Sequence, residues 1–218
     1  MNELEVKRIL ILASNPQGTS HLRLDKEVRE IEDWLRRSHL HPRFQIEQRW
    51  ASRPRDVQRA LLDVEPQIVH FCGHGQGQVG LVLEDETGRV KLVSTEALSK
   101  LFELFADRIE CVLLNGCYTE VQADAIAGHI NYAIGMRQEI LDDLAIAFSV
   151  GFYKGLGTGQ SIDAAFESGC QAIQGNTLES SDLNRKLGSV DSTGRAKTMP
   201  LQEHSIPVLK KKANSSSA

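Results

Sequence analysis

The feature that most constrains the fold is a series of short apolar runs, each ended by turn residues. They lie at 8–13, 68–72, 109–114 and 132–136, and apolar residues at helical spacing stand between them. A short run without polar alternation is typical of a strand that is buried on both faces. Strands of this kind that alternate with helices predict a mostly parallel sheet with helices on both faces.

The remaining segments complete this pattern. Residues 44–50 alternate as in a less buried strand, and helices are predicted at 24–37, from 54, from 95, and at 119–130, 142–156 and 161–173. Residues 80–84 and 89–93 flank the turn sequence Asp85-Glu86-Thr87-Gly88, which predicts a hairpin. The predicted fold class is therefore α/β, a three-layer sandwich with a mostly parallel central sheet and one inserted β-hairpin.

The chain is long enough for one substantial core. Its 218 residues, 41% hydrophobic and 25% charged, are typical of a single globular domain. We assign residues 1–174 to this domain. Residues 175–198 are rich in Ser, Asn, Asp, Gly and Arg, which predicts a flexible loop. Residues 199–210 are predicted to return as an edge strand of the same domain through Ile206–Leu209, and 211–218 to form a disordered tail.

Charge and cysteine content exclude several classes of partner and cofactor. A formal net charge of -4 gives no general attraction to nucleic acid, so no nucleic-acid partner is expected. The acidic N-terminus and the lack of an eighteen-residue apolar run predict a cytoplasmic protein without a membrane partner. The four cysteines form no C-x-x-C pair and are predicted to be free thiols. We expect no metal and no cofactor.

Two potentially reactive side chains follow neighbouring strands of the predicted sheet. The strand at 68–72 leads into Gly73-His74-Gly75, and the strand at 109–114 leads into Asn115-Gly116-Cys117. Because sequential strands are usually neighbours and catalytic groups collect at their carboxyl ends, His74 and Cys117 should meet there. A thiol needs a nearby base to act as a nucleophile. The sequence therefore predicts a dyad in which Cys117 is the nucleophile and His74 the general base.

The residues around this pair suggest how it is supported. Glycines on both sides let the backbone approach a substrate, and the N–H groups of Gly75 and Cys117 are predicted to form an oxyanion hole. Thr119 and Gln122 have the spacing of a capping box, which would start a helix just after Cys117. The partial positive charge at that helix N-terminus would favour the thiolate.

The segments 69–75 and 112–120, with sequences VHFCGHG and VLLNGCYTE, resemble the CHAT family of caspase-homologue domains. This family is related to caspases, metacaspases and separase, and the resemblance extends over nearly the whole chain. It implies a caspase-like fold and a cysteine endopeptidase that works through His74, Cys117 and an acyl-enzyme intermediate. It also implies a protein or peptide substrate and a separate sensor or adaptor that switches the domain on, in bacterial stress or antiviral defence signalling.

The substrate pocket is less clearly indicated. Asn115 stands two residues before Cys117, near where related basic-specific proteases place an acidic residue. Asp142 matches an acidic position of the family. Both are predicted to bind substrate, although Asp142 would alternatively only cap the helix that it begins. The sequence does not identify the residue preferred before the cut.

Three other interpretations remain. The chain would alternatively be a caspase-like signalling or adaptor module that binds partners with little or no proteolysis, or its thiol would serve redox sensing. Residues 75–80 also match the G-x-G-x-x-G pattern of dinucleotide loops. That pattern must lead into a helix, however, and here it leads into a hairpin strand, which argues against nucleotide binding.

Overall fold

The computed structural model describes residues 6–186 and 203–213. Its strands are β1 Lys7–Ala13, β2 Phe44–Arg49, β3 Ile68–Cys72, β4 His74–Gly75, β5 Leu81–Glu84, β6 Val90–Val93, β7 Cys111–Asn115, β8 Tyr132–Met136 and β9 Pro207–Lys211. Its helices are α1 Leu24–Arg37, α2 Pro54–Val64, α3 Thr95–Glu103, α4 Glu120–Ala127, α5 Asp142–Gly157 and α6 Ile162–Lys186. No described helix is long and apolar enough to cross a membrane.

The central sheet has the strand order β2-β1-β3-β7-β8-β9. The first five strands are parallel, and β9 pairs antiparallel with β8 at the edge. Strands β3 and β7 are direct neighbours, with Cys72 opposite Asn115 at their carboxyl ends. The segments that carry His74 and Cys117 therefore leave the sheet side by side, as the topology rules predicted.

Helices cover both faces of this sheet, which confirms the predicted fold class. Ile9 and Ile11 point to a core formed with α1, α5 and α6, whereas Leu10 and Leu12 point to a second core formed with α2, α3 and α4. Successive side chains of a strand alternate between faces. Since both faces of β1 are buried, its sequence is a continuous apolar run instead of an alternating one.

The predicted hairpin is present and is extended by one short strand. β5 and β6 pair antiparallel, and β4 joins them to form a three-stranded sheet in which His74 lies opposite Val82. His74 therefore belongs to a paired strand and not to an open loop. The backbone of the predicted base is consequently held by the hairpin.

The structure corrects the predicted loop at 175–198. Helix α6 continues to Lys186, so residues 175–186 are helical, while 187–198 lie outside the described residues. A helix that has already formed gains one hydrogen bond for each added residue, and it needs no apolar face to do so. The scarcity of apolar positions was therefore the wrong signal here. The division of the chain at residue 174 stays a prediction.

The predicted edge strand is observed as β9, which begins at Pro207 and ends at Lys211. Lys211, assigned from the sequence to a disordered tail, is thus part of the sheet. Residues 199–202 and 214–218 of the predicted edge-strand and tail segments lie outside the described part of the chain.

Candidate active site

His74 and Cys117 line the same cavity, which has a volume of about 270 Å³. The cavity lies at the carboxyl ends of β3 and β7, and residues of the segments 20–24 and 139–145 also line it. The sequence-predicted residues Asn115 and Asp142 also line it. Four of the five predicted site residues are therefore collected around one cavity, and Gly75 is not among its described lining residues.

The glycines allow two backbone segments to pack directly against each other. A Cβ added to Gly75 would lie 2.3 Å from the carbonyl oxygen of Cys117, and one added to Gly116 would lie 2.7 Å from that of Gly73. No side chain fits at such distances. The glycines thus bring the His74 and Cys117 segments together.

A backbone carbonyl orients the His74 ring. Nε2 of His74 lies 2.9 Å from the carbonyl oxygen of Ser20. In the tautomer that donates this hydrogen bond, Nδ1 keeps its lone pair and is available as a base. Burial lowers the pKa of His74 below its ordinary value, and the hydrogen bond to Ser20 only partly opposes this effect. The neutral, basic form of the ring therefore persists to lower pH.

Cys117 is partly buried, and its Sγ lies 3.8 Å from the carbonyl oxygen of Ile140. Within the described residues no hydrogen bond joins Cys117 to His74, since His74 contacts the carbonyl of Ser20 and Cys117 that of Ile140. Catalytic hydrogen bonds are often long or misaligned in unliganded enzymes. The structure therefore places both groups at one cavity without showing the proton-transfer contact itself.

The other three cysteines are poor candidates for a nucleophile. Cys72, Cys111 and Cys170 are all buried. Burial raises the pKa of Cys72 and of Cys111, and it raises the pKa of Cys170 to about 12. Thiols in this state do not form the reactive thiolate at neutral pH.

Two backbone N–H groups near Cys117 have no role in the surrounding sheets. The Gln76 N–H donates to the carbonyl of Gly80. Along a strand of an antiparallel pair, successive N–H groups point alternately toward and away from the partner strand. The N–H of Gly75, one residue before Gln76, therefore points away from β5. A Cβ on Gly116 would lie 3.2 Å from the Gly75 nitrogen, which shows that this nitrogen faces the Cys117 segment. The Cys117 N–H forms no hydrogen bond within the part of the chain described here. The oxyanion hole remains a prediction.

The predicted capping box is wrong. Thr119 Oγ1 lies 2.8 Å from the carbonyl oxygen of Leu114 and accepts a hydrogen bond from the Met136 N–H at 2.9 Å. Gln122 Nε2 donates to Gly77 O and to Thr95 Oγ1, both at 2.6 Å. Both side chains are fully buried, so tertiary partners take the place of the helix N-terminus. Helix α4 begins at Glu120, three residues after Cys117.

These two side chains nevertheless support the site. Thr119 ties the segment after Cys117 to β7 and β8, and Gln122 ties α4 to the segment that follows His74. Tyr118, between Cys117 and Thr119, has a left-handed backbone with φ of +57°. A non-glycine residue in this region stores strain that its surroundings must balance, and such residues cluster at functional sites.

Asn115 and Asp142 reach the cavity in different ways. Asn115 is only 4% exposed, and its Nδ2 donates to Glu27 Oε1 at 2.7 Å and to Ser149 Oγ at 3.0 Å. Asp142 is the first residue of α5, whose N-cap is Leu141, and its Oδ2 accepts from Arg23 Nε at 2.7 Å. Asp142 therefore pairs with Arg23 and does not cap the helix. Substrate contact by either residue stays a prediction.

Sequence reasoning missed Glu27. This residue is 3% exposed, lines the cavity and lies 3.2 Å from Nε2 of the fully buried His70, without the alignment of a hydrogen bond. One signal was available. Glu27 falls on the apolar face of α1 beside Leu24, Val28 and Ile31, where a charged residue is unexpected.

Among the described residues no group of three His, Cys, Asp or Glu side chains could hold a metal ion.

Two curated proteins match this chain over most of its length. The chain is 26% identical over 212 residues to a probable protease of Gillisia limnaea, covering 96% of this chain and 36% of that protein. It is 24% identical over 182 residues to a Roc-COR-CHAT protease from an unknown prokaryotic organism, covering 78% of this chain and 17% of that protein. The chain thus spans well under half the length of these relatives.

Among solved structures, a secreted C11 cysteine protease of Bacteroides thetaiotaomicron, in complex with an irreversible peptide inhibitor, has the same fold. The TM-score is 0.56 at 12% sequence identity, and the match covers 74% of this chain and 56% of that one. The sequence profile of the CHAT domain matches residues 11–181. Fold, motif positions and this profile agree that the chain belongs to the CHAT domain family.

Proposed function

We propose that this chain is a cysteine endopeptidase domain in which Cys117 is the nucleophile and His74 the general base. One observation carries the proposal: the two side chains come from the ends of adjacent strands and line one cavity. The Ser20 carbonyl orients the His74 ring, a role that a third side chain has in other enzymes of this type. Both curated relatives are named proteases.

In the proposed mechanism His74 takes the thiol proton as the sulfur of Cys117 attacks the peptide carbonyl carbon. The carbonyl electron pair moves to the oxygen, and the N–H groups of Gly75 and Cys117 stabilise the resulting oxyanion. The C–N bond then breaks, and the leaving amine takes the proton from His74. A water molecule, deprotonated by His74, hydrolyses the thioester and releases the acid product and free thiol.

Regulation by a separate sensor or adaptor is part of the same proposal, as is a role in bacterial stress or defence signalling. Its support is the length of the relatives, of which the chain spans 36% and 17%, so that these proteins carry other regions beside the CHAT domain. A protein substrate and a cytoplasmic location also stay proposals.

The direct test is covalent labelling. We expect a peptidyl acyloxymethyl ketone to modify the intact protein once, at Cys117, because the other three cysteines are buried. Peptide mapping by mass spectrometry locates the label. His74→Ala should slow labelling by about 10²- to 10⁴-fold, the usual contribution of a general base. His129→Ala, which changes a histidine outside the cavity, is the matched control.

Two results would contradict the proposal. Failure to label Cys117, also in cell lysate that supplies an activator, would favour the adaptor interpretation. Labelling that is equally fast in His74→Ala would indicate an exposed redox thiol.

The pH dependence of labelling gives an independent prediction. Desolvation disfavours the charged imidazolium, so His74 remains a base as the pH falls below its ordinary pKa of about 6.5. We therefore expect the acid limb of the labelling rate to have its midpoint below pH 6.5. The labelling rate should be measured from pH 4.5 to 8 at a non-saturating probe concentration, because its pH dependence then reports the pKa values of the free enzyme. A midpoint at or above 6.5 would contradict the lowered pKa of His74.

A further inference from the structure

Helix α1 places a buried carboxylate, Glu27, in the wall of the cavity that contains Cys117. The residue is 3% exposed and its carboxylate contacts neutral donors, with Oε1 accepting from Asn115 Nδ2 at 2.7 Å and from Ser149 Oγ at 2.6 Å. These hydrogen bonds fix the position of the carboxylate. They do not supply a positive charge to balance it.

Glu27 has no permanent countercharge among residues 6–186 and 203–213. No Lys or Arg in these ranges forms an ion pair with Glu27. The ionisable side chain beside it is His70, whose Nε2 lies 3.2 Å from Glu27 Oε1. Adjacent Lys26 pairs with Glu30 and Asp143 instead. A ligand that brings a cation within hydrogen-bond distance of this carboxyl would form a buried, charge-assisted pair with it.

The rest of the cavity favours a cation in the same way. Its described lining residues include Glu139 and Asp142 but no Lys or Arg. Asp142 already pairs with Arg23, and Glu139 is exposed, which leaves Glu27 as the interior carboxyl of this lining without a Lys or Arg partner among the described residues. Asn115 Oδ1 is buried beside it with no hydrogen-bond donor among the described residues. The lone pairs of this oxygen are available to a donor group of a ligand.

We propose that this cavity binds the side chain that precedes the scissile bond, and that Glu27 selects Lys or Arg there. The inference rests on the proposed peptidase function and adds its substrate class. Asn115 acts in this arrangement as a positioning residue, because it holds the Glu27 carboxylate. The acidic group thus comes from α1 and not from Asn115 itself.

His70 is the alternative source of charge. If its ring were protonated, the contact with Glu27 would be an internal ion pair and the cavity would have no need of a basic ligand. The protein would then prefer an uncharged side chain. The experiment below separates these two cases.

Binding should be measured on the Cys117→Ala protein, in which no covalent step occurs. Fluorescein-labelled tetrapeptide amides that differ only in the last residue (Lys, Arg, Gln, norleucine or Asp) are titrated by fluorescence polarisation. We expect Lys and Arg peptides to bind about 10- to 100-fold more tightly than norleucine, as a charge-assisted hydrogen bond provides. Equal or tighter binding of norleucine or Asp, or no binding of any peptide, overturns the inference.

Glu27→Gln in the same background removes the charge while keeping the shape. It should reduce the Lys-to-norleucine ratio to within about twofold, whereas Glu30→Gln on the same helix should keep the ratio of the parent protein. A ratio that survives Glu27→Gln would also overturn the inference. The peptide series on the parent needs no change at Glu27, so it decides the question even if Glu27→Gln does not fold.

Covalent probes with the same last residues, applied to the chain with Cys117 intact, separate the two proposals. If none modifies Cys117 while Lys peptides still bind through Glu27, the peptidase proposal fails and the basic subsite stands. If Cys117 reacts fastest with the norleucine or Asp probe, the peptidase stands and the role of Glu27 is wrong.

Discussion

Replacing Cys117 by alanine is expected to lower peptide cleavage by about 10⁴-fold or more, since it removes the only described thiol that lines the cavity. His74→Ala should be less severe by itself, and the double variant should be no worse than Cys117→Ala. Residues that act as one catalytic unit lose their function together, so their effects do not add. The rates are measured with the fluorogenic peptide that the unmodified chain cleaves fastest.

Cys170→Ala is the matched control for this result. Cys170 is buried in α6, away from the candidate site, and its raised pKa of about 12 keeps it protonated. We expect its removal to leave cleavage unchanged. Cleavage that persists in Cys117→Ala at more than a few per cent would show that another group is the nucleophile. Circular dichroism spectra of all variants should overlay.

The second large effect is expected from Gly75→Ala, although this change adds a single methyl group. The added Cβ would lie 2.3 Å from the Cys117 carbonyl oxygen and 2.6 Å from Thr119 Cγ2, so the two segments must separate. Displacing reacting groups by about 1 Å costs about 10²-fold in rate. Overpacking of this kind also costs about 1–3 kcal/mol of stability. Cleavage kinetics and urea unfolding midpoints measure the two effects separately.

Gly175→Ala is the control, because it replaces a glycine by alanine at a position without close neighbours. An added Cβ at Gly175, in α6, meets nothing within 4 Å. Within a helix this change should increase stability by about 0.5–1 kcal/mol and leave cleavage unchanged. If Gly75→Ala kept full activity, the close approach of the two segments would not matter for the chemistry.

The sequence alone was sufficient for the main strands of the sheet and for placing His74 and Cys117 at one cavity. Strands β1, β3, β7 and β8 are continuous apolar runs because each is buried on both faces, and this signal is local. Helix α1 begins and ends where its apolar spacing predicts. The positions of His74 and Cys117 followed from these strands, since sequential parallel strands are usually neighbours and their carboxyl ends share one edge.

The roles of the polar residues around the dyad depend on the tertiary structure. Thr119 and Gln122 have the spacing of a capping box, yet both are buried and bind carbonyl and hydroxyl groups of other elements. The local sequence shows which residues are close to each other along the chain. It does not show which groups a buried side chain contacts after packing, and these contacts determine its hydrogen bonds.

The contacts around the cavity are likewise a tertiary property. Asn115 meets Glu27 across 88 residues of chain, and His74 meets the Ser20 carbonyl across 54. Neither contact has a sequence pattern, because one depends on how α1 packs on the sheet and the other involves a main-chain atom. The sequence by itself predicted the strands of the sheet, through local periodicity, and the adjacency of the two strands that lead to His74 and Cys117. Only the packing of α1 and of the segment before it against that sheet decided that Glu27 lines the cavity and that the Ser20 carbonyl contacts the His74 ring.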